Sequence, residues 1–287
     1  MGIRFGMIAL ACACLPALAW GEDAAWSLRM AAPDPVPYHG LADGESGGAP
    51  GMMMYPAPGL AGLFAAIATH AAVVGSVRSS AQTEAEKKAD KVLDPLRGSL
   101  DRFTQRDLAA PALDTPPLRG ARLLSAQDTD PAGKIVDSAP AFFLTQEGDA
   151  LLLDNTIKIT RAGAQPYQGT IRVVSAPHKI QAQDVAAHWG ADEARVLKAE
   201  SAQLMALSLE IALAQSDAPA APAATAAAPF RTVRYLQGKK ELFERAQVLD
   251  ERCGRALIRN LRGWLMSVPL ARPAATDEAG CTGATAH

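Results

Sequence analysis

The sequence predicts an α+β fold, on three observations. A block of short, partly alternating strands precedes a helical block. A Pro/Ala linker at residues 217–229 follows. A second run of strands with turn residues between them closes the chain. Strands followed by helices, rather than strands alternating with helices, argue against a doubly wound sheet. The expected layout is an Ala/Gly-rich N-terminal helix, a mixed strand-then-helix domain at 104–216, and a small antiparallel β-meander at 230–269.

The first element is an export signal. Arg4 supplies a positive start, Phe5–Leu15 an apolar helix too short to span a bilayer, and Pro16 a break. Ala17 and Ala19 then hold the two positions a signal peptidase reads, so residues 1–19 read as a cleavable signal peptide. The expected address is the periplasm or the outer membrane. Cys12 and Cys14 raise lipoprotein processing as an alternative, opposed by Ala9 and Ala11, which stand where that processing prefers an aliphatic residue.

Residues 20–58 read as a disordered leader, because Gly and Pro recur without an apolar period. Gly59–Val77 then runs 19 residues without a charge, the length of a spanning helix. Leu60, Leu63, Phe64, Ile67, Val73, Val74 and Val77 favour insertion by about 2 to 4 kcal/mol in total. His70, Thr69, Ser76 and three glycines oppose it, so the sum lies near zero. The segment is therefore a membrane or partner contact, carried by Leu60, Leu63, Phe64, Ile67, Val73 and Val74, an Ala-rich helix buried in the protein or against a second copy, or a disordered stretch.

A charged helix follows, with Thr83 and Glu86 spaced as a capping box. It completes a helical segment at 59–103, broken at Pro95. From Ala121 the period shortens. Ala121–Ser125, Ala141–Gln146, Ala150–Thr160 and Thr170–Ser175 read as strands, with Glu147-Gly148-Asp149 as a hairpin turn and Ile157 and Ile159 pointing to the core. Gln183–Trp189 and Ala191–Gln215 read as helices, the second with a stripe of Leu197, Leu204, Leu207, Ile211 and Ala214. The final module reads as four strands, Arg231–Leu236, Glu241–Leu249, Arg255–Leu261 and Gly263–Val268, ahead of a flexible tail at 270–287.

Charge excludes some functions. With residues 1–19 removed, 27 basic residues face 30 acidic ones, so no overall electrostatic attraction to nucleic acid or to anionic lipid is expected. No nucleic-acid partner is expected. Four cysteines are present, and the two beyond the signal, Cys253 and Cys281, are expected to form a disulfide in an oxidising compartment. Closing that loop stabilises by about 3 kcal/mol in the chain-entropy model.

No motif names a reaction. Gly44–Gly48 spells the nucleophile-elbow pattern but lacks the strand and helix that strain it, so it reads as a loop. His39, His70, His178, His188 and His287 show no metal-ligand spacing, though His178 and His188 lie ten apart with Asp184 and Trp189 nearby. Arg259, Arg262 and Trp264 alternate as strand residues do, and Asp149, Asp154, Asp184 and Glu193 are available carboxylates. No catalytic, cofactor or metal residue is assigned. The expected function is a non-enzymatic exported cell-envelope protein acting through protein or membrane contacts, or through self-association at 59–77. The alternatives are a periplasmic module binding a small molecule or glycan, and an enzyme.

Overall fold

The computed structural model describes residues 26–42, 80–125, 128, 133–218 and 228–272. The fold is mixed α+β, organised on a large mixed sheet. Its strands are β1 (Trp26–Met30), β2 (Tyr38–Gly40), β3 (Arg122–Leu124), β4 (Lys134–Leu144), β5 (Leu151–Thr160), β6 (Tyr167–Val174), β7 (Arg231–Gln237), β8 (Lys240–Arg252), β9 (Arg255–Asn260) and β10 (Leu265–Pro269). The order is β3-β1-β4-β5-β6-β10-β9-β8-β7, with β2 also on β4. The helices are α1 (Ser80–Ala89), α2 (Arg97–Leu100), α3 (Gln105–Leu113) and α4 (Val185–Asp217), with 3-10 turns at Asp90–Leu96, Pro116–Leu118 and Ala182–Asp184.

Strands β4, β5 and β6 form the antiparallel centre. Their alternation separates two faces. Leu151, Leu153, Ile157 and Ile159 of β5 bury toward the helices, as expected for the two isoleucines, while Ala150 and Leu152 turn to a second core on the opposite side. Helix α4 lies on the first face against β5 and β6. Its inner stripe is Leu197, Ser201, Leu204, Met205, Ser208 and Leu209. The two serines are not orphans. Tyr38 Oη meets Ser201 Oγ at 2.6 Å, and Asn155 Nδ2 donates to Ser208 Oγ at 2.8 Å. Ser138 Oγ donates to Asn155 Oδ1 at 2.8 Å, completing a buried ladder from β4 through β5 to α4. Each group is satisfied, so the ladder fixes the register of helix on sheet at little net cost.

The leader expected to be disordered instead contributes β1 and β2, both parallel to β4. Strands of five and three residues flanked by Pro33, Pro35 and Pro37 are too short to show alternation, and only β4 reveals them. Between them the chain leaves the sheet, because proline cannot donate to a ladder. Pro140 of β4 lies opposite this break, between Ser138, whose carbonyl accepts from Ala31 N, and Phe142, whose N–H reaches Pro37 O. The missing donor and the missing strand coincide.

Helix α3 was not expected from periodicity. Its start is nonetheless written in Thr104 and Asp107, which form a complete capping box. Thr83, expected to play that part in α1, lies within the helix, which already runs at Ser80. The two helices expected at 183–215 are both present within α4, separated at Ala191–Ala194, where the backbone leaves helical geometry and Asp192, Glu193 and Ala194 take φ of 49°, 56° and 62°. Ala214, placed on the apolar stripe, faces solvent near the helix end.

The C-terminal strands form the expected antiparallel meander. The meander also joins the main sheet, because β10 pairs in parallel with β6. A bulge at Val248/Asp250 bends β8, and Tyr235 bridges to Leu270 just beyond β10. The four strands thus curl almost closed around Val233, Tyr235, Ala246, Ile258, Met266 and Val268. Gly238 holds the β7–β8 turn at φ 60°, and a Cβ there would collide with the Asp149 carboxylate. Among the described residues no helix is long and apolar enough to cross a membrane.

Candidate functional site

Several sequence-assigned residues lie outside the described residues: Ala17, Ala19, Leu60, Leu63, Phe64, Ile67, Val73, Val74 and Cys281, with the Gly44–Gly48 loop, His70 and His287. Cys253 is described. With Gly254 it forms the two-residue turn between β8 and β9, at φ 50° and 69°. Positive φ at both central positions is the hairpin turn that matches strand twist, and it presents Cys253 at an exposed tip.

The fold brings together His178, His188 and Trp189, spaced as the sequence suggested. The histidine rings lie 5.4 Å apart, and each stands 4.7 Å from the Trp189 ring, edge to face. Trp189 Nε1 donates to Gly148 O at 2.7 Å, and His178 N to Asp149 O at 2.8 Å. Asp149 is the hub. Its carboxylate accepts from Thr145 Oγ1 and from Lys239 N, both at 2.8 Å, while Lys239 Nζ reaches Ile180 O at 3.0 Å. Turns from three parts of the chain therefore meet at Asp149, Thr145 and Lys239 through its carboxylate and His178 through its backbone carbonyl. Burial, with help from His188 and against Asp149, lowers the His178 pKa from 6.5. Burial likewise raises Glu200, 4.0 Å from His178 Nε2, against the opposing pull of Arg255. Among the described residues no three His, Cys, Asp or Glu side chains are placed to hold a metal ion. This cluster clamps the meander to the sheet; Asp184 and Glu193 are not part of the contacts described.

On the face away from α4 lie two ion pairs that sequence spacing could not show, one buried and one half-buried. Arg172 of β6 holds Asp154 of β5 through two 2.6 Å bonds, with both side chains under 5% exposed. Trp264 covers this pair, its ring 5.7 Å from the Arg172 guanidinium. Arg29 Nε meets Asp137 at 2.6 Å. Asp154 and Arg172 are partners in the β5–β6 register. The signal was present but unreadable until strand pairing was known.

The meander's outer face differs in kind. It exposes Phe243 at 59% and Leu261 at 65%. Phe243 is the cross-strand partner of Arg234, whose guanidinium lies 5.1 Å from its ring. Asn260 Oδ1 accepts from the N–H groups of Arg262 and Trp264, a local turn that pushes Leu261 outward at the tip. Because Ala246 pairs with Asn260, Arg245 stands beside this tip. Residues 228–272 carry ten Lys and Arg against four Asp and Glu, in a chain whose net charge is −2.

No family model matches this chain. No curated protein matches it either. One solved structure, described only as an uncharacterized protein, aligns over 46% of this chain and 67% of its own at 14% identity and a TM-score of 0.24. That similarity is too low to carry an argument about fold or function.

Proposed function

We propose that this is an exported, non-enzymatic cell-envelope protein that works by contact, and that its contact element is the outer face of the β7–β10 meander against an anionic membrane surface. The observation that carries the reading is the pairing of exposed Phe243 and Leu261 with Arg234, Arg245 and Arg262 on one basic module. Phenylalanine and leucine enter the headgroup region, and each basic residue near an anionic surface contributes about 1 kcal/mol. Expected periplasmic or outer-membrane residence, through the signal at 1–19, would bring this face to such a surface. The segment 59–77 remains a second proposed contact of the same protein.

The test is co-sedimentation with phosphatidylcholine vesicles with and without phosphatidylglycerol. Binding is expected only with the anionic lipid and is expected to weaken as salt rises. Arg245→Gln with Arg262→Gln should weaken it about 30-fold, the equivalent of about 2 kcal/mol. Equal binding to neutral vesicles, or none to anionic ones, would overturn the reading. The same reading pairs Cys253 with Cys281, returning the tail to the β8–β9 tip; a non-reducing peptide map should show the two in one linked fragment.

A further inference from the structure

Helix α4 changes hand within itself. Residues 185–190 and 195–217 are right-handed, while Asp192, Glu193 and Ala194 between them take φ and ψ of 49° and 51°, 56° and 41°, and 62° and 33°. These three make most of one turn of left-handed helix, built without a glycine. An L-residue visits that region singly, because its Cβ crowds the following carbonyl oxygen, and a run of three multiplies the strain. Rewinding to right-handed helix would relieve it, so contacts outside the turn must hold it.

Both ends are held. On the long side Ala194 and Leu197 are fully buried in the helix-side core. On the short side Val185 packs against Gly148, where an added Cβ would come within 2.5 Å of the valine side chain. Trp189 Nε1 donates to Gly148 O at 2.7 Å, and a Cβ at Gly190 would stand 3.3 Å from Leu96. The docking of residues 185–190 on the Gly148 turn therefore offsets the strain of residues 192–194.

That docking has a titratable weak point. His178 and His188 flank Trp189, and the Nε2 of each is closed off from solvent with no hydrogen-bond partner. A neutral imidazole tolerates this by carrying its proton on Nδ1, whereas a charged one is a donor at both nitrogens. The carboxylate facing His178 Nε2 is Glu200 Oε1 at 4.0 Å, beyond hydrogen-bond range. Asp149 attracts a charge on His178, but its carboxylate already accepts from Thr145 and from Lys239 N. Lys239 Nζ is turned to Ile180 O, Arg255 draws on Glu200, and Lys179 and Asp184 of the same loop are exposed. The second ring, 5.4 Å away, repels a second charge. None of these groups accepts from a protonated Nε2 as the cluster stands.

We infer that residues 185–194 form a pH-operated latch: protonation of His178 and His188 releases Trp189 from Gly148, and the left-handed turn rewinds into right-handed helix continuous with residues 195–217. Release uncovers the turn whose Asp149 also anchors the meander through Lys239. Burial of the His178 ring favours its neutral form, with His188 adding to this and Asp149 opposing, so the latch opens below pH 6.5. It is separate from the outer face of the meander and does not depend on membrane binding.

The test follows ¹⁵N-labelled full-length protein by NMR from about pH 7.5 to about pH 5, across the histidine range. The Trp189 indole N–H and the backbone amides of Asp192, Glu193 and Ala194 report the latch, and the amides of Leu153 and Leu209 report the core. As pH falls, a second set of latch resonances is expected to grow with one midpoint, without the strong HN–Hα cross-peaks of positive φ, while the core amides stay in place. His178→Gln with His188→Gln, neutral throughout, should keep the first set at every pH. Asp192→Gly with Glu193→Gly removes strain from the latched form and weakens the rewound helix. It should lower the ratio of open to latched protein at least about tenfold. Latch resonances that stay unchanged through the histidine titration, a transition that persists in the glutamine pair, or a ratio unmoved by the glycine pair would each overturn the inference. Loss of the Leu153 and Leu209 resonances at the same midpoint would also overturn it, showing unfolding in place of a latch. The unsubstituted protein carries the titration by itself, so the test stands if either pair fails to fold.

Discussion

The helix-covered half of the sheet and the C-terminal meander solve the same burial problem in opposite ways. Strands β4 to β6 turn one face to α4 and bury it under a second layer, so their exposed chemistry is confined to edges and loops. The helix reaches only the inner part of the meander, where Leu265 of β10 and Leu257 of β9 pack on the helix-side core and Arg259 donates to Gln215 of α4 at 3.2 Å; it does not cover β7 and β8. The meander's inner face is buried in a second core shared with Ala150, Leu152 and Val174 of the main sheet, and the outer face of β7 and β8 meets solvent. Leucine and phenylalanine on that outer face have no structural task to explain them, whereas the same residue types on β5 hold the core together. Burial thus decides what a side chain is for, and it was the meander that the fold left free to make contacts.

The buried ion pair gives the largest test of this contrast. Arg172→Met leaves the Asp154 carboxylate buried without its partner and should cost about 3–5 kcal/mol in urea unfolding. The double substitution Arg172→Met, Asp154→Leu should recover most of that loss, since it removes both charges together. Next comes Leu153→Ala on the helix-covered face, which should cost about 2–5 kcal/mol through transfer and cavity terms. By contrast, Phe243→Ser with Leu261→Ser on the meander should change stability by no more than about 0.5 kcal/mol per site while reducing vesicle binding. A large stability loss from that pair would show the outer face to be structural, and the two halves would no longer differ as described.

The junction between the halves should respond to pH. His178 has a folded pKa held below 6.5 by burial and by His188, against the pull of Asp149. Folding therefore favours the neutral ring. The stabilisation is complete above the unfolded value of 6.5 and declines as pH falls from there toward the depressed folded value. Glu200, raised by burial, contributes in the other direction, losing stability as pH rises from 4.5 through its folded value. His178→Gln should flatten the fall in melting temperature between neutral and mildly acidic pH, a smaller effect than the substitutions above. An unchanged slope would show that the cluster does not carry the response.

Much of the fold was legible before any coordinates. Strands β5 and β6 and all of the meander announce themselves by alternation and by Gly-centred turns, because a strand with one buried and one wetter face must alternate. The break in α4 was legible as the boundary between Gln183–Trp189 and Ala191–Gln215, and the two histidines by their spacing. What escaped had physical cause. Strands β1 and β2 are short, parallel and interrupted by prolines, and their partner β4 lies about a hundred residues away. Helix α3 is short, contains Pro111 and buries the polar Gln105, so its periodicity is blurred. The candidate sites escaped for a related reason. Asp192 to Ala194 are held at positive φ only because Trp189 on one side and Leu197 on the other are anchored by distant parts of the chain.

The sequence by itself determined the class of fold, the strand and helix content of most of the chain, and the local turns, since these follow from backbone preference and the period of apolar residues. Tertiary structure alone decided that Arg172 faces Asp154, that turns from three regions converge on Asp149, and that Phe243 and Leu261 stand in solvent. Those outcomes depend on which strands pair and in what register, and register is a property of two distant segments together.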